Sequence, residues 1–377
     1  MSEWSADFGP LDGVWLDTAR HGPLPRIAVA AAIEALTWKV APNRLAENAV
    51  EEVPWRLRTA LARLINADAE DIILGNSASY GLHVLANGIA WREGDEVLLV
   101  DGDFPATVFP WLPLRGRNVN VRLVKPRGAY FGAADVIANL TPATRVVCTN
   151  WVNSFTGIAV DIDAIGEACH NHGLRFVINA SQALGVRPLD VAAAPVDAVV
   201  ACGHKWQCGP YGTGLCWIEP EFRDALSPTQ AYWSAMQAGQ RAESMRDYTL
   251  HDDLGAAAFD VFATANYLNV MPWTASLEYL LEQDIEAIAR HDQALVTQLL
   301  EGLDASRYEV LSPREGPARS TLVIASHREA GRNEEIHASL ARDGVHVAVR
   351  EGNLRLSPHL FNTGDDVHRA LALLNAA

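Results

Sequence analysis

No apolar run in the chain reaches membrane-spanning length, and Met1–Gly13 holds neither the basic patch nor the apolar stretch of a secretory leader. Positive charge is also scarce: 30 Lys and Arg stand against 46 Asp and Glu, a formal net charge of -16. A chain of that sign repels phosphate backbones and anionic lipid headgroups, and no basic stripe offsets it, so nucleic-acid and membrane binding are excluded as main roles. Cysteine is sparse and odd in number, with Cys148, Cys169, Cys202, Cys208 and Cys216 and no C-x2-C pair. That set fits neither a disulfide framework nor a structural zinc site, and no metal is expected. Internal repeats and low-complexity tracts are missing as well. What remains is a soluble, cytoplasmic protein with reduced, buried thiols.

The chain is nonetheless rich in core-forming residues, 49% hydrophobic over 377 positions, enough for a large domain with a smaller companion. From Ile72 to Ile218 short β-branched runs alternate with helical patterns, the rhythm of βαβ units around a mainly parallel sheet. The predicted strands are Ile72–Gly75, Glu96–Asp101, Val119–Lys125, Arg145–Thr149, Arg175–Asn179, Ala198–Ala201 and Leu215–Ile218. Several are continuously apolar, as strands buried on both faces are. Asp161–His172 reads as a helix that opens on acids and closes at Gly173. Ile27–Val40 and Trp55–Asn66 are amphipathic, and Glu221–Ala257 is a polar stretch read as a lid or irregular loop. A long helix is expected over Ala275–Leu303. The short strands Tyr308–Leu311, Thr321–Ala325, Val345–Val349 and Leu354–Leu356 follow it, an α+β tail.

The chemistry concentrates in Asp197–Leu215, where Lys205 follows an apolar strand and precedes Gly209, Gly212 and Gly214. A lysine at a strand end in apolar surroundings has its ammonium destabilised, which is what an amine needs to form a Schiff base. The glycines let backbone approach a bound group. Spacing alone leaves an exposed turn lysine equally open.

This stretch resembles the lysine signature of the class V aminotransferases, fold-type I pyridoxal-phosphate enzymes that include cysteine desulfurases, kynureninase and isopenicillin N epimerase. The resemblance extends over nearly the whole chain. It implies an α/β fold with a mainly parallel seven-stranded sheet sandwiched by helices and a smaller α+β C-terminal domain. The implied division is a segment 1–25 folding over the active site, a cofactor-binding domain 26–273 and a small domain 274–377. Lys205 is then the residue that carries pyridoxal phosphate. Gly75-Asn-Ser-Ala-Ser79, between a strand and a helix, resembles the phosphate-binding turn and assigns Ser77 and Ala78, a placement that suits a helix N-terminus. The resemblance further assigns Phe104 to stack on the pyridine ring, Asn153 and Gln182 to its phenolic oxygen, Asn179 to its ring nitrogen and His204 to the phosphate. Thr264 would be delivered to the phosphate by the neighbouring subunit of a homodimer with shared active sites. Arg355 would hold the carboxylate of an amino-acid substrate, the two-pronged geometry of guanidinium matching it, with His21 beside it.

Departures from the family pattern bear on the reaction. Asn179 stands where an Asp is usual, so the ring nitrogen meets an amide in place of a negative charge. That favours expelling a leaving group promptly, which tilts the expectation from aminotransferase to lyase, a β-elimination such as C–S cleavage in a biosynthetic or tailoring pathway. Aminotransferase, epimerase and decarboxylating oxidative activities, and a non-catalytic cofactor binder, are the alternatives. Cys202 replaces a usual Ser, and Ala263 a usual Gly. No cysteine follows Cys216, which argues against sulfur transfer through a protein persulfide.

Overall fold

The computed structural model describes residues 4–128, 130–229, 232–233, 246, 249 and 255–377. Its strands are β1 (Val14–Trp15), β2 (Ile72–Gly75), β3 (Glu96–Val100), β4 (Asn120–Val124), β5 (Thr144–Asn150), β6 (Arg175–Asn179), β7 (Ala198–Cys202) and β8 (Gly214–Ile218), followed by β9 (Tyr308–Val310), β10 (Val323–His327), β11 (Val345–His346), β12 (Ala348–Arg350) and β13 (Asn353–Leu356). The seven strands expected between Ile72 and Ile218 all form, in one sheet ordered β2-β8-β7-β6-β5-β3-β4. Only β8 runs antiparallel to its neighbours.

Alternation of side chains shows why the strands are apolar throughout. Leu98, Val147, Phe176, Ile178, Val199 and Leu215 point into one core, whereas Val97, Val146, Val177, Val200 and Cys216 point into another on the opposite face. Each fully buried aliphatic side chain contributes about 1.5–3 kcal/mol, so covering both faces with helices is what holds the sheet in place. The helix predicted over Asp161–His172 spans Ile162–His170, with the Asp161 carboxylate accepting from the Ala164 N–H as its cap.

Two helices begin earlier than the sequence pattern indicates, and each runs through a proline, a residue that disfavours a helix interior. Trp55–Asn66 belongs to a helix Ala49–Ile65 that runs through Pro54. The expected start at Ala275 lies inside a helix Tyr267–Glu282 that runs through Pro272. Each proline forfeits one backbone bond, and burial of the surrounding side chains outweighs that loss. The single helix expected over Ala275–Leu303 is in fact two: the chain turns at Gln283–Asp284, where Asp284 adopts φ 67°, and resumes as Ile285–Gly302. Glu219 caps a short helix Pro220–Asp224, while most of the Glu221–Ala257 stretch lies outside the described residues.

A second, antiparallel sheet, β12-β13-β10-β9, encloses its own core with the helices Ile285–Gly302, Arg332–Arg342 and Gly364–Ala376. The strand expected over Val345–Val349 splits: β12 joins this sheet, and β11 pairs in parallel with β1. That pairing draws the N-terminal segment alongside the second sheet. Among the described residues no helix is long and apolar enough to cross a membrane.

Candidate active site

The carboxyl ends of β2, β5, β6 and β7 meet in a cavity of about 310 Å³, the position where open α/β sheets bind ligands. Its lining includes Ser77, Ala78, Phe104, Asn179, Gln182, His204, Lys205, Arg355 and His21, nine of the residues singled out in the sequence. Two others are placed differently.

Lys205 enters from the turn after β7, and its Nζ lies 5.5 Å from the centroid of the Phe104 ring. Desolvation pushes its ammonium below the usual lysine range, a shift opposed by Cys202 and reinforced by Arg355 and Arg350. Burial thus favours the neutral amine over the ammonium at this position. The backbone is packed tightly here: the Gly22 N–H donates to the His204 carbonyl at 2.9 Å, and a Cβ on Gly22 would fall 2.1 Å from the Lys205 carbonyl oxygen. His204 packs against Tyr211 and His21, with ring centroids 4.7 and 5.2 Å away. Burial, aided by the Lys205 charge, drives His204 down to about 4, so it is neutral at physiological pH.

At the end of β2, Ser77 caps the 11-residue helix Ala78–Gly88 by accepting from the Tyr80 N–H at 3.2 Å. Gly214 on β8 presses so close that a Cβ would lie 2.5 Å from the Ser77 nitrogen. The helix N-terminus, with Ser77, Ala78 and Ser79 on the cavity wall, is an anion seat in the electrostatic sense.

The floor is a relay of polar groups. Asn179 donates through Nδ2 to Thr107 Oγ1 at 2.8 Å, Thr107 donates to Asn150 Oδ1 at 2.5 Å, and Asn179 Oδ1 accepts from the Ser181 N–H at 3.1 Å. Asn150 is buried and its Nδ2 has no partner among the described residues, an unsatisfied donor in the cavity wall. Gln182 donates through Nε2 to the Ala19 carbonyl and to Ser154 Oγ, and accepts from Trp206 Nε1 at 2.8 Å.

Asn153 is turned away from the cavity. Its Oδ1 accepts from the Phe155 and Thr156 N–H groups, and its Nδ2 donates to the Gly102 carbonyl and Asp103, so the whole amide is spent on a turn. Ser154, the next residue, faces the cavity in its place. Asp103, which also accepts from the Asn150 N–H and Thr149 hydroxyl, pins the Phe104 loop to β5; burial lifts its carboxyl to about 6 against those hydrogen bonds.

Thr264 does not line the cavity of its own chain. The Phe259–Thr264 segment is fastened to β2, where Asp260 accepts from the Leu74 N–H at 2.9 Å and pairs with Arg58. Ala263 sits at φ 57°, a conformation that favours glycine and marks this turn as sharply bent.

Arg355 is buried on β13. Its Nη2 donates to Asp17 at 3.1 Å, its Nη1 reaches the Ser154 carbonyl at 3.4 Å, and its Nε has no partner among the described residues. Asn150, Ser154, Tyr211, Arg20 and Arg350 line the cavity without having been singled out in the sequence. Asn150 and Ser154 lie in or beside a segment that the sequence does mark, where a shift of one position decides which side chain faces inward. Arg350 carries no local signal, because the hairpin between β12 and β13 places it. Among the described residues no group of three or more His, Cys, Asp or Glu side chains is arranged to hold a metal.

The chain is 25% identical to a probable cysteine desulfurase of Methanothermobacter thermautotrophicus, over 94% of this chain and 92% of the relative. It is 25% identical to the isopenicillin N epimerase of Streptomyces clavuligerus, over 96% and 94% of the two chains. The solved complex of a cystine C–S lyase with its product cysteine persulfide shares the fold at a TM-score of 0.87 and 22% identity, covering 97% of both chains. The model of the aminotransferase class-V family matches residues 14–367: the chain belongs to that family, and it is an enzyme whose cofactor is pyridoxal phosphate.

Proposed function

We propose that the protein is a lyase that eliminates a β-substituent, a thiol in the first instance, from an amino acid. The observation that carries this reading is the neutral floor of the cavity: Asn179 can offer the cofactor's ring nitrogen only a hydrogen bond, and among the described residues no carboxylate lines the cavity wall.

The residues present fit the cofactor. The unpartnered Asn150 Nδ2, the helix N-terminus at Ser77–Ser79 and the desolvated Lys205 supply a donor, an anion seat and an amine around one space. When bound, pyridoxal phosphate offers an aldehyde for exchange onto the substrate amine and a ring that delocalises the electron pair left at the α-carbon. Lys205 would be the group that carries it, and its Nζ would be placed to act as general base on the α-proton. Phe104 would stack on the ring, and Gln182 with Ser154 would serve the phenolic oxygen. Ser77, Ala78 and neutral His204 would hold the phosphate, and Arg355 with His21 would orient the substrate carboxylate.

The Thr264 segment supports a homodimer with shared sites. Phe262 is 59% exposed, and Ile33, Leu36 and Val40 of the helix Arg26–Val40 are more than half exposed, an apolar surface a second copy would cover. All five cysteines are buried and unpaired, which supports a reducing compartment, the cytoplasm. With no cysteine after Cys216, elimination is favoured over transfer of sulfur to a protein thiol.

The test is direct. The purified protein should show a visible band that borohydride bleaches and that Lys205→Ala lacks, and should release pyruvate and thiol in equal amounts from S-substituted cysteines. Efficient half-transamination by a keto acid, without thiol release, would overturn the lyase reading.

A further inference from the structure

Resting on the reading above, we propose that the substrate carries a second anionic group, a carboxylate at the far end of its side chain, and that Arg350 is the residue that selects it. Ala348 on β12 stands opposite Arg355 on β13, and Arg350 stands opposite Asn353. Residues two apart in a strand share a face, so Arg350 and Arg355 are diagonal neighbours on one side of the sheet, and both line the cavity.

Arg20 lines the same cavity, and Asp17 is the one carboxylate paired with this group among the described residues, 3.1 Å from Arg355 and 4.0 Å from Arg20. Arg350 has no carboxylate partner among the described residues; its Nη1 donates to the Val349 carbonyl at 2.7 Å. Three guanidinium groups against one carboxylate leave two positive charges facing the ligand. Like charges on neighbouring sheet positions repel, and the Arg350 charge helps to push both Arg355 and Lys205 down. A chain with an overall excess of acid holds this arrangement where a ligand anion would relieve it.

The cofactor phosphate is not that anion, because its seat at Ser77–Ser79 opens the helix that follows β2 of the seven-stranded sheet, whereas Arg350 and Arg355 lie on β12 and β13 of the second sheet. The α-carboxylate accounts for Arg355, which is buried with an open Nε. Arg350, half-buried and free of ion pairs among the described residues, is left for a second carboxylate.

Calorimetric titration of the cofactor-loaded protein with glutarate and with butyrate, at about 0.15 M salt, separates the possibilities. A charge-assisted bond contributes enough for roughly tenfold or greater preference for the diacid in wild type. Arg350→Leu should abolish that preference and Arg350→Lys retain part of it; Arg350→Gln serves should the leucine variant fail to fold. Equal affinities in wild type overturn the inference, as does a loss in Arg350→Leu that is the same for both acids, which would assign Arg350 to the α-carboxylate. Failure of the enzymatic reading shows separately, as the absence of a visible band that depends on Lys205.

Discussion

The sharpest test of how the two sheets are joined is the replacement of Asp292 by Asn. Asp292 lies on the helix Ile285–Gly302 and His359 follows β13; both are wholly buried, with His359 Nδ1 2.7 Å from Asp292 Oδ2. His359 Nε2 lies 3.0 Å from the carbonyl of Trp206, the residue after Lys205. Both neighbours are acceptors, so both ring nitrogens must carry protons: His359 is an imidazolium that ties the lysine turn to the second sheet. Burial alone would strip that proton, but the Asp292 charge and hydrogen bond outweigh it and push His359 up to about 10.

The sign follows. A histidine whose pKa rises on folding contributes stability that is complete below about 6.5 and is lost as pH rises through about 10. A shift of that size corresponds to at most about 5 kcal/mol at 1.36 kcal/mol per pH unit. Asp292→Asn leaves His359 buried without its counter-charge, a loss of about 3–5 kcal/mol. With an unfolding entropy of roughly 0.8 kcal/mol/K for 377 residues, Tm should fall by about 4–6 °C. Urea unfolding of both proteins between pH 6 and 10, followed by circular dichroism, should show the gap closing as pH rises. A gap that stays constant within about 0.5 kcal/mol, or a variant as stable as wild type, would refute the assignment of charge to this pair.

Two further outcomes are expected. Gly22→Ala places a methyl 2.1 Å from the Lys205 carbonyl oxygen, so the backbone must shift, and cofactor retention in a spectral titration should weaken by roughly tenfold or more. Ser154→Ala should move the visible band of the loaded protein, whereas Asn153→Ala should lower stability by about 1–3 kcal/mol in urea unfolding and leave the band in place, because Asn153 serves the turn.

What could be read in the sequence was whatever is local. Lys205 was legible because an apolar strand and a glycine-rich turn flank it within a few positions, and the seven strands were legible because burial on both faces leaves runs of Val, Ile and Leu. Helices crossing Pro54 and Pro272 were not, since tertiary packing overrides the local penalty. The Asp17–Arg355 pair joins residues 338 apart, and no local pattern could announce that the expected substrate arginine has a carboxylate partner of its own. The Asn153 reading missed by one position, which at a strand end separates a side chain that holds a turn from one that faces the cavity.

Asn179 carries the last prediction, because the relay around it shows what the amide does. Asn179 gives its proton to Thr107, Thr107 passes its own to Asn150, and Asn150 is left with an unused donor. In Asn179→Asp the carboxylate cannot donate, and the single Thr107 proton is claimed by two acceptors. Rotating the Asn150 amide resolves the conflict: its spare Nδ2 then donates to Thr107, and Thr107 donates to the introduced carboxylate. The substitution should therefore be tolerated within about 1 kcal/mol in the absence of cofactor, the net worth of one neutral hydrogen bond. It introduces a negative charge beside the position proposed for the ring nitrogen, and an opposite charge at that range favours protonation by about 1–3 pH units. The loaded variant should then gain, by roughly tenfold or more, in exchange of the substrate α-hydrogen with deuterated solvent relative to release of thiol, both followed by NMR on one S-substituted cysteine. A ratio unchanged in a variant that folds and binds cofactor would show that residue 179 does not govern the reaction, and the neutral floor would lose its standing as the reason for elimination.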